Sequence, residues 1–468
     1  MYFHVHSYVI SAISLRAWFN RYMVIPALFL VLPLNVFSQQ VSPATTLPDS
    51  LDLDDCLSYA MDHQPMVQQL KLDERISQQD IRIAYSDWLP QITSSADYQH
   101  YLKQPVIFLP DFTNPSGPKT EITTGVKNNS TISFSASQVL FNSNVYLAAR
   151  TSGYYRKQAK QTTKETLIGL VVDISKAYYG VLSAAQQVGI IREDIQRINI
   201  SLRDAFARYQ SGASDNIDYK RATISLNNAK AQLVNAGEAL NSNMSHLKRL
   251  MGYPIDQPLN LEKDYTKMHN EIMIESVNEL DYGKRIEYQL LKTNLHLQKA
   301  MVDYYRLDFL PSLSGYANYN LAYHNDNFGD LYNLMFPNSS FGLTLSFPIF
   351  EGARRIQSLK KANLTYERLA LDTLNFRNQM DNEIMQAVAS YKSYVASYNS
   401  TTENVKIAKE VYNTVKSQYD QGIKTYLEVI VSETDLRTAQ INNINALFMV
   451  LSSKLDVEKA LGRISVNY

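Results

Sequence analysis

The 468-residue chain has a single cysteine, Cys56, so neither a disulfide framework nor a thiolate metal cluster is open to it. Its 45 lysines and arginines balance 45 aspartates and glutamates, which leaves no basic excess to recruit nucleic acid. Histidine is scarce. Apart from His4 and His6 the few others are scattered, and no HExxH, P-loop or GxGxxG pattern occurs. Catalysis, a bound metal and a cofactor are therefore not expected. Paired carboxylates such as Asp54 and Asp55 read as charges at a helix N-terminus. Tryptophan is nearly absent, with two against 32 tyrosines. That balance suits interfaces with one wet side, or a belt at a membrane edge.

Long apolar runs are also missing. The one candidate is "MVIPALFLVLPLNVF", Met23 to Phe37, preceded by Arg16 and Arg21 and followed by Ser38. Broken by Pro26 and Pro33, it is too short and kinked to span a bilayer comfortably. A basic start, a short apolar stretch and a small residue at its end describe a secretory signal over residues 1–38, with an inner-membrane anchor as the alternative. Removing this leader takes away two positive charges and no acid, which leaves the remainder slightly acidic. Cys56, in "LDLDDC", lies too far beyond the run to be a lipid-modified N-terminus and reads as a buried or half-buried helix residue. No later segment offers 18 consecutive apolar residues, the length that marks a transmembrane helix. A secreted chain of this kind is periplasmic, extracellular or an outer-membrane β-barrel, and short strands must decide.

What the chain does have is a repeat. Shifted by about 210 positions, Tyr209–Gly252 overlays Tyr419–Gly462: Gly212 falls on Gly422, Asp218 on Glu428, Leu226 on Leu436, Ala229 on Ala439 and Ala236 on Ala446. Upstream, "DWLPQI" (Asp87 to Ile92) matches "DFLPSL" (Asp308 to Leu313), and "VLFN" (Val139 to Asn142) matches "PIFE" (Pro348 to Glu351). The plan is helix, Leu-Pro, strand pair, Phe, long helix, glycine turn, return helix, glycine, performed twice.

Helices follow from period. In the second copy Met380, Ile384, Ala387, Tyr391, Tyr394, Tyr398, Thr401, Val405, Ala408, Tyr412, Val415 and Tyr419 alternate steps of four and three, an unbroken heptad stripe. The first copy repeats it from Leu167 to Tyr209 with one hitch. The pattern predicts long helices over 143–211 and 352–421 and return helices over 216–251 and 425–461. At 1.5 Å per residue the long ones reach roughly 100 Å, taller than an ordinary globular core. A polar-tinted, narrow stripe with alanines at close approach suits helices in a curved wall; a plain coiled-coil bundle fits the period equally.

Four stretches of about ten residues alternate instead. They are Ile92–Tyr101, Ser130–Val139, Ser312–Tyr323 and Ser339–Phe347, within strand pairs at 91–141 and 312–350. Ile132, Phe134 and Ala136 face one way, and Ser133, Ser135 and Ser137 the other. This suits a transmembrane β-barrel, apolar towards lipid and polar towards a lumen. Four strands cannot close, since about eight are needed, and open edges are forbidden in lipid. Other copies of the chain must supply the missing strands. Pro90 and Pro311 end the preceding helices, and the Pro-, Gly- and Asn-rich stretches Lys103–Asn129 and His324–Asn338 read as outer loops.

Taken together, the "LP" before each first strand, "FPIFEG" after the second pair and "YDQGIKTYLEVIVSETDLRTAQ" resemble the TolC-type outer-membrane efflux proteins, from about Asp54 to Gly462. The resemblance implies a mixed α and β membrane protein: a homotrimer whose three chains of four strands form one twelve-stranded outer-membrane β-barrel, continued by a long periplasmic α-helical barrel. It implies two tandem repeats, 39–252 and 283–468, joined by an equatorial linker at 253–282. It also implies a passive outer-membrane channel of a tripartite efflux or type I secretion system. Its partners would be a periplasmic adaptor, an inner-membrane transporter and outer-membrane lipid. The rival reading, a periplasmic coiled-coil adaptor or structural protein, explains the heptads but not four strands repeated in step.

The resemblance places the glycine turns at the periplasmic tips, with Gly212, Ala213, Gly422 and Ile423 where the adaptor docks. Tyr419, Asp218, Lys424 and Glu428 match a polar network that closes the channel. Two departures stand out. Val431 occupies the place of a second ringed aspartate, and Lys424 replaces an arginine, losing its bidentate fork.

Overall fold

A computed structural model describes residues 49–109, 119–262, 265–274 and 281–466. The expected leader, the middle of the first outer loop and part of the linker lie outside the described residues.

The described chain opens with α1 (Leu53–His63), α2 (Pro65–Ser86), β1 (Gln91–His100), β2 (Val106–Leu109), β3 (Thr120–Thr123) and β4 (Asn128–Phe141). There follow α3 (Ser143–Gln210), α4 (Asn216–Met251), the short α5 (Tyr265–Asn270) and α6 (Ile286–Leu307). The last elements are β5 (Ser312–Asn325), β6 (Met335–Ser346), α7 (Arg354–Asp420) and α8 (Tyr426–Ala460). Asp54 and Asp55 stand in the first turn of α1, where Asp52 and Asp55 form a reciprocal capping box. Cys56 is buried on the same helix, and burial pushes its thiol up to about 12.

The long helices run 68 and 67 residues, within two residues at either end of where the heptads place them. One window of α3 has a mean hydropathy of 1.3, enough for a membrane span, but two thirds of it is buried against other helices. It is a core helix. Along α7 the stripe holds at Met380, Ile384, Tyr398 and Tyr419, which are buried, and fails at Tyr394, which is exposed. There the inner position passes to half-buried Val395, and the original register resumes at Tyr398.

The sheet is antiparallel in the order β1-β4-β5-β6. Its register puts Ile92, Ala136, Ala317 and Phe341 in one cross-strand row, with Ser94, Phe134, Tyr319 and Ser339 beside them. The opposite face carries Thr93, Ser135, Asn318 and Ser340 in a row, and Ser95, Ser133, Asn320 and Asn338 in the next. One face is apolar and aromatic, the other hydroxyl and amide. Leu343, 70% exposed, and Phe341 show that none of the described residues covers the apolar face at β6.

Both outer loops hold more strand than the sequence expectation. Within the first, "VIFL" and "TEIT" pair as β2 and β3, and Met335–Asn338 of the second belongs to β6. Pro and Gly surround the paired segments of the first loop, but the β-branched and aromatic residues within them have the stronger strand preference.

Connection and packing then repeat the strand order in helices. α2 feeds β1, β4 feeds α3, α6 feeds β5 and β6 feeds α7, and the helices pack in the order α2–α3–α6–α7. Further along, the order is α4–α3–α8–α7. The outermost helices bear uncovered apolar stripes: Leu72, Ile76 and Ile83 on α2, and Leu364, Leu371 and Leu374 on α7. Both layers are thus open on the same two sides.

The linker crosses the helices at mid-length. Leu51 bridges to Leu261, and Tyr178 and Tyr391 donate to the carbonyls of Glu262 and Ile272. Tyrosine is plentiful here because its ring packs on helix while its hydroxyl satisfies irregular backbone.

Candidate functional site

The two long hairpins end in matching corners. Gly212 and Gly422 adopt left-handed φ of 75° and 80°. Ala213 N–H donates to Arg208 O at 2.9 Å and Gly212 N–H to Tyr209 O at 3.0 Å. In the second corner Ile423 N–H donates to Gln418 O at 2.8 Å and Gly422 N–H to Tyr419 O at 2.9 Å. Both are Schellman turns, which satisfy the last carbonyls of a helix and call for glycine at the left-handed position. Gly212, Ala213, Gly422 and Ile423 are all exposed, and a Cβ on either glycine would touch nothing within 4 Å. The corners present bare backbone.

Beneath the turns the corners differ. Tyr209 is exposed and leans on Tyr219, ring centroids 5.2 Å apart. Tyr419 is buried with Ala222, Tyr426 and Val429, and Arg208 lies over its ring at 4.8 Å. Burial raises its phenol pKa, against the pull of Arg208, while Asp218 raises it further. Tyr419 and Asp218 are therefore neighbours in the field, yet the hydroxyl makes no hydrogen bond to any described residue.

Lys424 reaches Glu428, not Asp218, at 2.5 Å. Glu428 also accepts from Thr425 N–H and Oγ1, at 2.9 and 3.0 Å, closing a capping box on α8. These bonds hold its carboxyl down at about 2, with Lys424 the largest cause. Of the four residues matched to the closing network, the structure pairs two and brings the other two alongside.

Several charged residues at this end escaped the sequence reading. Lys416 joins Asp420 at 2.8 Å and Asp204 at 3.4 Å, tying α7 to α3, and Arg208 donates to the Asp420 carbonyl at 3.3 Å. Their signal was present: Asp204/Arg208 and Lys416/Asp420 are opposite charges four residues apart near the ends of the two long helices. Deeper lies Asp194, wholly buried, held by Arg437 at 2.8 Å and Arg197 at 3.1 Å, with buried Glu433 nearby. These could have been found as charges on the apolar stripe, Asp194 between Ile191 and Ile198 and Glu433 between Val429 and Leu436.

Comparison with known proteins places these features in a group. The family described as outer membrane efflux protein matches residues 56–253 and 289–463. The outer membrane protein TolC of Vibrio cholerae is 21% identical over 338 residues, 70% of this chain and 76% of that protein. Among solved structures, the outer membrane protein VceC of Vibrio cholerae has a TM-score of 0.68 at 17% identity, over 88% of this chain and 96% of that one. The open-state MtrE outer membrane channel of Neisseria gonorrhoeae has a TM-score of 0.68 at 16% identity, over 88% of each chain.

Proposed function

This chain belongs to the outer membrane efflux protein family, and from that premise we propose that it is the outer-membrane channel of a tripartite efflux or type I secretion system. It resides in the outer membrane and extends into the periplasm. Exported molecules pass through it passively, and a separate inner-membrane transporter supplies the energy.

The observation that carries this reading is the open four-stranded sheet with one apolar and one polar face, set on a helical layer open on the same two sides. Unpaired strand edges cost several kcal/mol per backbone group in lipid, so β1 of one copy must pair with β6 of the next. That pairing brings α2 beside the neighbour's α7 and covers Leu72, Ile76 and Ile83 with Leu364, Leu371 and Leu374. Three copies close a barrel of about twelve strands, wide enough for a lumen. The Ser, Thr and Asn face lines it, and the Phe and Leu face meets lipid.

The exposed corners at Gly212–Ala213 and Gly422–Ile423 are the docking points for a periplasmic adaptor. Tyr419, Asp218, Lys424 and Glu428 form the constriction between them. The polypeptide divides accordingly into a repeat over 39–252, a linker over 253–282 and a second repeat over 283–468.

Recovery from the outer-membrane fraction as a heat-modifiable trimer is the expected result. A soluble monomer would sink the channel reading. A photo-crosslinker at Gly212 or Gly422 should capture a periplasmic adaptor, and capture only from lumen-facing positions of the sheet would relocate the docking surface.

A further inference from the structure

About two turns into α8, charge is buried where the heptads call for an apolar seam. Asp194 of α3 accepts from Arg437 of α8 and from Arg197 of its own helix. Glu433 of α8 is 3% exposed. One of its oxygens lies 3.4 Å from the Ser201 hydroxyl of α3, and the other meets no hydrogen-bond partner among the described residues. Tyr412 and Lys416 of α7 face it, as does Tyr426 from the start of α8. Two carboxylates and two guanidiniums therefore share the seam that joins the first repeat's long helix to the second repeat's return helix. A well-packed apolar seam of the same volume holds helices together at least as well. Cohesion alone therefore does not account for the charges.

We infer that Glu433 is a positioning residue for the tip. When neutral it lets α8 lie against α3; when ionised beside Asp194 it loosens the α7–α8 hairpin, so the tip opens as its surroundings move from acid towards neutral. The inference rests on the channel reading and names a control point within it.

The titration supports the geometry. Burial, and then Asp194, push the Glu433 carboxyl up to about 7, against the pull of Arg197. Packed α8 thus keeps a proton that a loosened α8 would release. The stabilisation from the neutral acid is complete below the ordinary carboxylate value of about 4.3 and is lost as pH rises through the packed value. The neighbours do not mask this window. Tyr412 and Tyr426 are pushed upward and stay neutral, Lys416 is raised and stays cationic, and Glu428 is held down at about 2 and stays ionised.

The test is open probability in planar bilayers at about pH 5 and about pH 7.5, for wild type and Glu433→Gln. Wild type should open at least about tenfold more often at the higher pH, and E433Q should stay at the acid level throughout. A flat wild-type profile, or one that E433Q retains, overturns the proposal. Hydrogen exchange over 426–437, corrected for intrinsic rate, reads the same clamp without conductance. It should show stronger protection of wild type at the acid pH, and equal protection overturns the proposal even where E433Q fails to assemble. Absence of any wild-type conductance, with pH-dependent protection intact, counts against the channel and not against the clamp.

Discussion

A Cβ on Gly252 would lie 2.8 Å from the Cα of Gln64, the residue that caps the start of α2. One repeat later, a Cβ on Gly462 would lie 3.0 Å from the backbone of Lys284, next to Arg285, which caps α6. Both glycines are left-handed, with φ of 71° and 67°. Each return helix thus ends by pressing its bare backbone on the start of the earlier, shorter helix of its own repeat, and the duplicated sequence has kept the joint. The corner glycines are left-handed as well, but a Cβ there would meet nothing within 4 Å among the described residues.

The contrast predicts unequal costs. Gly422→Ala should cost only the left-handed penalty, about 1–2 kcal/mol. Gly252→Ala and Gly462→Ala must also displace backbone and should cost clearly more, about 3 kcal/mol or above. Thermal unfolding of the detergent-solubilised protein distinguishes them. Equal melting temperatures for Gly252→Ala and Gly422→Ala would mean that the close approach relaxes freely.

The two faces of the sheet predict opposite tolerance. Leu343→Arg places a charge on the apolar face and should cost about 2–4 kcal/mol if it sits near mid-bilayer. Ser340→Arg, three residues away on the hydroxyl face, should assemble normally and alter conductance instead. Assembly into detergent-resistant trimers measures the first effect and bilayer current the second. Equal loss of assembly would mean that the Ser340 face is not a lumen.

Sequence alone carried most of this fold because two periods dominate it. Steps of three and four marked the long helices to within two residues, and alternation marked both faces of the sheet. The β2–β3 hairpin was hidden by the prolines and glycines around it. At the tip, the family resemblance could match Tyr419 and Asp218 but could not show that Lys424, in the turn before α8, reaches Glu428 in that helix's first turn. Nor could it pair Asp194 with Arg437, 243 positions apart, since that contact exists only once α3 and α8 are packed. Long-range pairing of buried charge has no periodic signature.

That pairing has a large expected cost when broken. Arg437→Ala leaves Asp194 buried with Arg197 as its remaining cationic partner, and losing one partner of a buried pair typically costs about 3–5 kcal/mol. The Arg197 contact should hold the loss towards the lower end. Asp194→Asn together with Arg437→Met removes both charges and should recover much of the stability. Chemical unfolding of the single and double variants checks this. A double variant as weak as Arg437→Ala would show that packing of the arginine stem matters more than its charge.

The corner itself yields the sharpest division. Lys424→Ser removes the cation 2.5 Å from Glu428, yet the Thr425 bonds still hold that carboxylate in place. With three copies around one axis, three net negative charges would then face a narrow opening, so cation current should rise severalfold. Tyr419→Phe removes a hydroxyl that bonds to no described residue of its own chain, so alone it should leave the hairpin unmoved. A rise in conductance from Tyr419→Phe alone would therefore locate its bond on a neighbouring copy, across the seam between protomers. The double variant Tyr419→Phe with Lys424→Ser should exceed either single one if both brace the same closed tip. Unchanged current from the double variant, with the trimer intact, would place the constriction elsewhere along the tube.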